Sequence, residues 1–306
     1  MSKGISIVLA LVVCLIILQV GVSPEGSAQG SKGGLVVSDQ TVTGFVHPES
    51  VAYDPQTKVL YVSQFGSVLK PTLKDGKGKI SKVSLTGEIL EARFLPASGE
   101  ILNKPKGIWV EGSRLWVTDI DVVWIFDLKT RRGKKVALPG VKFANDPTVM
   151  KTALFVSDNR GDQIYRVEPA DFLDIKGDPE VTVFVGGQSF APNGLFPARD
   201  GSLLAVGFMS GQDRGIYSLD AGGKLNALSK DIGQLDGVIQ LDDGTLLVTD
   251  WKSGSLFRWG PKMGMEILAT GFKGPADFCV VPEAKGLLVI VPDLVKSELR
   301  MIRISK

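Results

Sequence analysis

The sequence predicts an all-β, six-bladed β-propeller, and three observations lead to this prediction. A short phrase, made of a turn, a small or polar residue and an apolar strand, recurs six times after about residue 44. Successive copies lie about 40–57 residues apart, and units of this length with several strands each are typical of propeller blades. The segments between the turns are rich in Val, Ile, Leu and aromatic residues and show no long stretch of helical periodicity.

Each predicted blade begins with one copy of the phrase and continues with a second apolar strand, such as residues 60–63 in the first blade. The last blade runs out of chain after residues 299–304, which would form its third strand. We therefore expect residues 35–46 to supply the missing fourth strand and close the ring, because closure removes two exposed sheet edges. The six phrases are residues 48–51, 105–108, 145–148, 192–195, 235–238 and 275–278.

The first 28 residues have the pattern of a secretory signal peptide. A lysine near the N-terminus precedes an apolar run over residues 5–18. Gly26 and Ala28 are then the small residues expected before a cleavage site at Gln29. This pattern predicts an exported protein, periplasmic or secreted.

The alternative for this segment is an uncleaved membrane anchor over residues 5–22, since the apolar stretch is long for a signal peptide. In that case the N-terminus would tether the protein to a membrane. Residues 29–34 are Gly, Ser, Gln and Lys and predict a flexible tether, and residues 35–306 form the propeller domain.

Composition excludes some classes of function. The net charge is +2 over 306 residues, which gives no electrostatic support for nucleic-acid binding. The densest basic stretch, residues 70–82, is interpreted either as a solvated loop or as a phosphate-binding patch, and the first is favoured. Cys14 lies in the leader, so Cys279 is alone in the mature chain, where a buried apolar role is favoured over a nucleophilic one.

The residues just before the first strand of each blade are expected to converge on the mouth of the central tunnel, because that strand lines the tunnel. Asn-Gly and Asp-Gly pairs are also ordinary turn sequences. Four carboxylate or amide side chains at equivalent places favour a site for a hard divalent cation such as Ca²⁺, Mg²⁺ or Mn²⁺. The converging residues are Glu49, Lys106, Asn145 with Asp146, Asn193, Asp236 and Ala276.

The repeat and four of these positions resemble the senescence marker protein and gluconolactonase family, which includes regucalcin, over residues 44–306. In that family a Glu opening the first blade, an Asn in the third, an Asn-Gly in the fourth and an Asp-Gly in the fifth surround one divalent ion. The resemblance implies Ca²⁺ as the cofactor, with Zn²⁺, Mg²⁺ or Mn²⁺ as alternatives. The implied ligands are Glu49, Asn145, Asn193 and Asp236.

The sequence departs from the family pattern in the third blade. Many members carry an Arg two residues before the third-blade Asn, where it helps to hold the substrate, and Phe143 stands there in this chain. The usual Asn-Asp-Gly is replaced by Asn145, Asp146 and Pro147. Lactonases of the paraoxonase type use a pair of histidines, whereas this chain contains only His47, for which a surface loop is favoured over a contact with Glu49.

These features predict a divalent-metal-dependent lactonase or related ester hydrolase. Its substrate would be a small molecule, a lactone or a compound derived from a sugar acid. Asp236 is the expected general base, because a carboxylate beside a metal can accept a proton from metal-bound water. Lys106 would stabilise an oxyanion or an anionic substrate, or it would balance the charge of the acidic ring.

Two alternatives remain at this point. A non-catalytic propeller could use the same oxygens as a structural calcium site while it binds a ligand or a protein partner. A strictosidine-synthase-like propeller fits less well, since it gives no reason for four metal-type ligands. Under the enzyme hypothesis, the long loops at about residues 66–79 and 207–215 should overhang the tunnel mouth and restrict the substrate.

Overall fold

The computed structural model describes residues 35–305, which form six four-stranded antiparallel sheets. Strand β1 (Val36–Val42) comes first in the chain and belongs to the last sheet. Blade 1 contains β2 (Pro48–Asp54), β3 (Val59–Gln64), β4 (Lys79–Ser84) and β5 (Ile89–Leu95). Blade 2 contains β6 (Pro105–Glu111), β7 (Arg114–Asp119), β8 (Val122–Asp127) and β9 (Gly133–Ala137). Blade 3 contains β10 (Ala144–Met150), β11 (Ala153–Asp158), β12 (Gln163–Glu168) and β13 (Glu180–Gly186).

The other three blades repeat this order of strands. Blade 4 contains β14 (Pro192–Pro197), β15 (Leu203–Gly207), β16 (Ile216–Leu219) and β17 (Leu225–Ala227). Blade 5 contains β18 (Leu235–Gln240), β19 (Leu246–Asp250), β20 (Ser255–Gly260) and β21 (Gly264–Ala269). Blade 6 contains β22 (Cys279–Glu283), β23 (Gly286–Asp293) and β24 (Glu298–Ser305), with β1 as its outermost strand. The predicted six-bladed propeller is therefore confirmed.

Burial decreases from the inner to the outer strands of a blade. Strands β3 and β11 are buried along their whole length, because neighbouring blades cover both faces of the sheet there. Continuous apolar runs suit such positions, which explains the Leu- and Val-rich second strands of the repeat. The outermost strand β13 has only part-buried and exposed residues.

Each contact between neighbouring blades has its own cluster of buried apolar side chains. Tyr61 and Phe126 share the cluster between blades 1 and 2. Leu60 and Met301 share the cluster between blades 1 and 6, so the closing contact is built like the other five.

Strand β1 closes the ring, as the sequence predicted. It pairs antiparallel with β24, with Val36 opposite Ile304 and Val42 opposite Leu299. Blade 6 therefore combines both ends of the described chain, and the outer edge of β24 is paired rather than exposed.

The predicted signal peptide or anchor, and the tether that follows it, lie outside the described residues. Between residues 35 and 305 there is no helix long and apolar enough to cross a membrane.

Candidate active site

The residues predicted to converge on the tunnel mouth, one position in each blade, are called the ring below. A β-bulge at the start of the first strand redirects the backbone at these positions. In blades 1 to 5 the register between the first and second strands shifts at this point. In blade 5, for example, the shift lies between Leu235 and Val238 and includes Asp236. A bulge re-aims a side chain and leaves a backbone N–H without its ladder partner.

Hydroxyl groups on the second strand accept these freed N–H groups in three blades. The hydrogen bonds are Ser50 N–H to Ser63 Oγ at 2.9 Å, Asp146 N–H to Ser157 Oγ at 2.9 Å and Gly237 N–H to Thr249 Oγ1 at 2.8 Å. Thr118 acts between blades, since its hydroxyl donates to the carbonyl of Asn145. These hydroxyls fix the backbone that carries the ring.

An aspartate follows the hydroxyl residue in three blades and anchors the segment that leads into the ring. In blade 2, Asp119 accepts the backbone N–H groups of Asn103 at 2.8 Å and Lys104 at 2.7 Å. The aspartates in this role are Asp119, Asp158, Asp250 and, in blade 6, Asp293. Our sequence prediction overlooked them, although the Thr-Asp and Ser-Asp pairs at 118–119, 157–158 and 249–250 recur at equivalent places.

The structure places every predicted site residue in this ring, each with 1% to 7% of its surface exposed. Among the predicted site residues, three buried polar atoms have no hydrogen-bond partner within residues 35–305: Glu49 Oε2, Lys106 Nζ and Asn193 Oδ1. The amide nitrogen of Asn193 donates to the carbonyl of Leu235 at 3.4 Å, so its oxygen is the free end of the amide. The predicted site residues are Glu49, Lys106, Asn145, Asn193 and Asp236.

Two further carboxyl groups, which the prediction did not count as site residues, lie one position along the chain from the ring. Asp146 Oδ2 accepts the backbone N–H of Leu195 at 2.7 Å. Asp277 Oδ2 accepts the hydroxyl of Ser50 at 2.6 Å, across the contact between blades 6 and 1. Asp277 was hidden in the sequence because the ring position of blade 6 is Ala276, and its side chain crosses to the neighbouring blade.

Burial raises the pKa of the four carboxyl groups in and next to the ring, and neighbouring carboxylates add to this for all of them except Asp277. Burial, followed by the charge of Asp277, raises the pKa of Asp236 to about 8. Burial raises the pKa of Asp277 to about 7. The pKa values of Glu49 and Asp146 are also well above the ordinary range, through burial and the neighbouring carboxylates. The site therefore favours either protons or a cation among these oxygens.

The glycines after the ring residues are required by close approach between blades. A Cβ atom on Gly107 would lie 2.2 Å from Asp146 Oδ1, and one on Gly194 would lie 2.2 Å from the carbonyl oxygen of Asp236. These glycines lie within first strands, so the Asn193-Gly194 pair is not a turn. The turn interpretation of such pairs, left open by the sequence, is wrong here.

A cationic side faces the acidic part of the ring. Lys106 Nζ lies 4.3 Å from the centre of the Phe143 ring, and the guanidinium carbon of Arg160 lies 4.3 Å from the same centre. Burial lowers the pKa of Lys106 to about 8, and the nearby charge of Glu49 partly opposes this. Arg160 was not predicted, because it follows the second strand of blade 3 rather than the repeated phrase.

The two predicted loops contact segments next to the ring. Lys104 is buried and donates to the carbonyl of Phe65 and to Asp75 Oδ2, both at 2.9 Å, which attaches the blade 1 loop to blade 2. In the blade 4 loop, the carbonyl of Phe208 accepts the side-chain amide of Asn159 at 2.7 Å. Both loops thus lie on the face of the propeller that carries the ring residues. Their effect on the substrate stays a prediction.

Two packed aromatic side chains lie next to Asp236. Phe208 packs edge to face on Trp251, with ring centres 5.9 Å apart. The indole N–H of Trp251 is buried without a well-formed hydrogen bond and lies close enough to Asp236 to lower the pKa of that carboxyl slightly against the effect of burial. The N–H is thus a second polar group directed at the acidic part of the ring.

Farther along the same first strands lies a cavity of about 440 Å³. Most of its lining is apolar, with Trp109 and Phe196 among the largest side chains, and Asp146 and Asp277 also border it. None of the four predicted metal ligands lines this cavity.

No group of three or more His, Cys, Asp or Glu side chains within residues 35–305 is arranged to hold a metal ion. The predicted set has only two carboxylates, Glu49 and Asp236. A cation in the ring would therefore depend on the amide oxygens of Asn145 and Asn193 as well.

The remaining reactive side chains lie outside the ring. His47 is half-buried, and its Nδ1 lies 3.0 Å from the carbonyl oxygen of Leu294. Cys279 is a free, buried thiol whose pKa is raised strongly by burial, which confirms the apolar role predicted for it. Neither residue is placed to act with Asp236.

No protein-family model matches this chain, and no curated protein matches it. Solved structures share its fold. The virginiamycin B lyase of Staphylococcus aureus has a TM-score of 0.58 and 13% sequence identity, over 87% of this chain and 99% of the lyase. A streptogramin B lyase has a TM-score of 0.59 and 14% identity, over 88% and 98% of the two chains.

A third structure, a structural genomics target provisionally assigned as a gluconolactonase, has a TM-score of 0.65 and 15% identity, over 89% of this chain and 94% of that chain. At such low identities these similarities establish the propeller fold and leave the activity to be argued from the site.

Proposed function

We propose that this protein is a divalent-metal-dependent hydrolase of lactones or related esters. The observation that carries the proposal is the pair of buried oxygens, Glu49 Oε2 and Asn193 Oδ1, that have no hydrogen-bond donor within residues 35–305. A buried acceptor without a partner costs roughly 1–3 kcal/mol, and more when it is charged. A cation beside these oxygens and Asp236 would remove that cost.

The residues fit a hard cation. Glu49 and Asp236 supply negative charge, and Asn145 and Asn193 supply neutral oxygens, which suits Ca²⁺ first and Mg²⁺, Mn²⁺ or Zn²⁺ as alternatives. When bound, such an ion polarises a carbonyl group and lowers the pKa of water.

The protein's own groups would then perform two tasks. The Asp236 carboxylate accepts the proton of the attacking water, and its position beside Asn193 keeps it oriented for this transfer. The buried ammonium of Lys106 has no acceptor within the described chain and donates to the oxygen that gains negative charge, or to an anionic part of the substrate. Trp251 lies close to Asp236, and Phe208 packs on its indole ring.

The structure gives less support to a lyase mechanism. A catalytically inactive form of the S. aureus virginiamycin B lyase carries one histidine replaced by alanine. The single histidine of this chain, His47, lies within hydrogen-bond distance of Leu294 and Ser297 instead of facing the ring. A non-catalytic propeller with a structural calcium site remains the second candidate, because the same oxygens would serve it equally well.

Two substitutions separate the hydrolase from the binding protein. Asp236→Asn should keep the fold and most of the metal affinity but lower kcat by about 10²–10⁴-fold, because an amide cannot accept the proton. Glu49→Gln should mainly weaken metal binding, by roughly tenfold or more, through the loss of one ligand charge. Asp178→Asn, on an exposed segment, is the matched control.

The experiment measures metal content and then hydrolysis of a panel of sugar lactones and simple esters after chelation and after return of Ca²⁺, Mg²⁺, Mn²⁺ or Zn²⁺. Metal-dependent turnover that is lost in the Asp236→Asn variant supports the proposal. Binding of a divalent ion without turnover of any lactone or ester overturns the hydrolase and leaves the binding propeller.

A further inference from the structure

We infer that the tunnel mouth selects a substrate with a carboxylate group, which Arg160 attracts at the rim and Lys106 binds inside the mouth, both next to the ring of Phe143. The position of this group next to a reacting ester rests on the proposed function, whereas the binding of the carboxylate can be tested without it. The inference assigns Arg160 as a specificity-determining residue of the site.

Lys106 is a buried cation without an acceptor. The whole residue is 1% exposed, and Nζ makes no hydrogen bond or ion pair within the described part of the chain. Of the acids around Lys106, Glu49 has the strongest effect on its charge but makes no hydrogen bond with Nζ. Asp119 accepts the backbone N–H groups of Asn103 and Lys104, and Asp121 pairs with Lys74. An ammonium group in this state needs an acceptor, and a bound carboxylate provides one.

Arg160 is the second cation, and it also makes no ion pair within residues 35–305. The acid nearest to it in sequence, Asp158, is saturated by other donors. These are the backbone N–H groups of Lys142, Phe143 and Gly161 and the side-chain amide of Gln163. The guanidinium group therefore rests on Phe143 and stays free to bind an anion from solution.

One local structure positions both the turn that carries Arg160 and Phe143, over which Lys106 lies. Asp158 accepts the N–H of Phe143 at 2.8 Å and that of Gly161 at 3.0 Å, so one carboxylate fixes the aromatic ring and the turn that carries Arg160. A Cβ atom at Gly161 would lie 2.0 Å from Asp158 Oδ2, which leaves glycine as the residue that fits there. On the other side of the turn, Asn159 donates to Phe208 and Ala191. A rigid support of this kind is what a recognition residue needs.

Lys106 Nζ and the guanidinium carbon of Arg160 each lie 4.3 Å from the centre of the Phe143 ring, so the two positive charges are close to one another. Lys106 lies inside the mouth and Arg160 is exposed at its rim. A carboxylate that enters past Arg160 is thus drawn to Lys106, while Glu49 and Asp236 disfavour anions elsewhere in the ring. A singly charged carboxylate fits better than a dianion, since Glu49 is close to Lys106.

The test uses two probes of the same length, monomethyl glutarate, which is an anion, and dimethyl glutarate, which is neutral. Their dissociation constants are measured by NMR titration on the metal-free protein at low ionic strength. We expect the monoester to bind at least about tenfold more tightly than the diester, and this preference to weaken as salt is added. Arg160→Gln should reduce the preference several-fold and Lys106→Met should abolish it, whereas Arg93→Gln, an exposed arginine on β5, should leave it unchanged.

Equal affinity for the two probes, or a preference that survives Arg160→Gln, overturns the inference. Arg160 is exposed, so we expect the Arg160→Gln variant to fold. Its affinities for the two probes therefore test the inference even if Lys106→Met does not fold. A second measurement follows hydrolysis of both esters with metal present. Turnover of both esters without preference for the anion rejects this inference and leaves the proposed hydrolase function standing. Selective binding of the anion without turnover rejects the hydrolase function and supports this inference.

Discussion

The metal-free protein should lose stability as the pH rises from 5 to 7, which is the opposite of ordinary acid denaturation. The perturbation is the ionisation of the buried carboxyl groups Glu49, Asp146, Asp236 and Asp277. Their pKa values are raised in the folded state, to about 8 for Asp236 and about 7 for Asp277. In the unfolded chain an aspartate titrates near 3.9.

The sign follows from proton counting. Between the unfolded and folded pKa values the folded protein holds a proton that the unfolded chain has released, so unfolding is favoured as the pH rises. Each such carboxyl lowers the free energy of unfolding by about 1.4 kcal/mol per pH unit. From pH 5 to pH 7, Asp236 alone would therefore cost about 3 kcal/mol. Lys106, whose pKa is lowered to about 8, acts in the opposite direction only above this window.

The assay is urea or thermal unfolding of chelator-treated protein at several pH values. We expect Tm to fall on the order of 10 °C between pH 5 and pH 7 from Asp236 alone, with a further decrease from the other carboxyls. In the Asp236→Asn variant the slope of the unfolding free energy against pH should be smaller by the contribution of one carboxyl, about 1.4 kcal/mol per pH unit. The Asp178→Asn variant should keep the slope of the parent protein. Saturating divalent cation should restore stability, by about 2.7 kcal/mol at a hundredfold excess over Kd. A stability that is constant or rises from pH 5 to pH 7 without metal would refute this reasoning.

Three other predictions concern the ring closure, the blade 1 loop and the leader. Deletion of residues 35–42 should lower Tm by on the order of 10 °C, because it exposes the edge of β24 that pairs with β1. Calorimetry of the deletion variant checks this, and an unchanged Tm would contradict it. Shortening residues 67–77 should change KM and the order of preferred substrates, since Lys104 holds this loop beside Lys106; identical kinetics for the whole panel would show that the loop is not a lid. Export should yield a protein whose N-terminal sequence begins near Gln29, whereas full-length protein found only in membranes would favour the anchor over residues 5–22.

The repeat made much of the fold predictable. The phrase that opens the first strands is local, because its bulge depends on a few neighbouring residues and on the adjacent strand of the same blade. The six-fold recurrence of this phrase therefore indicated which residues converge, and all five predicted site residues lie at the ring positions. The closing strand was predictable for a similar reason, since the last blade lacked one strand and residues 35–46 had no blade of their own.

The contacts that the Asp146 and Asp277 carboxyl groups make with neighbouring blades could not be predicted in this way. Asp277 had no predicted role, because Ala276 occupies the ring position of its blade. Only the hydrogen bond with Ser50, across the contact between blades 6 and 1, shows where the Asp277 carboxyl lies. Asp146 is directed to Leu195 in the next blade in the same manner. Such contacts depend on how closely neighbouring blades approach, and this distance is set by glycines such as Gly107 and Gly194.

The sequence by itself determined the number of blades, the order of the strands and the residues that line the mouth, because each of these follows from hydrogen bonding and burial within one repeat. Only the tertiary structure decided which charges face one another. It brings Lys106 of blade 2 and Arg160 of blade 3 to one aromatic ring, and Glu49 of blade 1 near Asp236 of blade 5. The physical reason is that electrostatic energies depend on distances and burial between blades, and a one-dimensional pattern does not contain these distances.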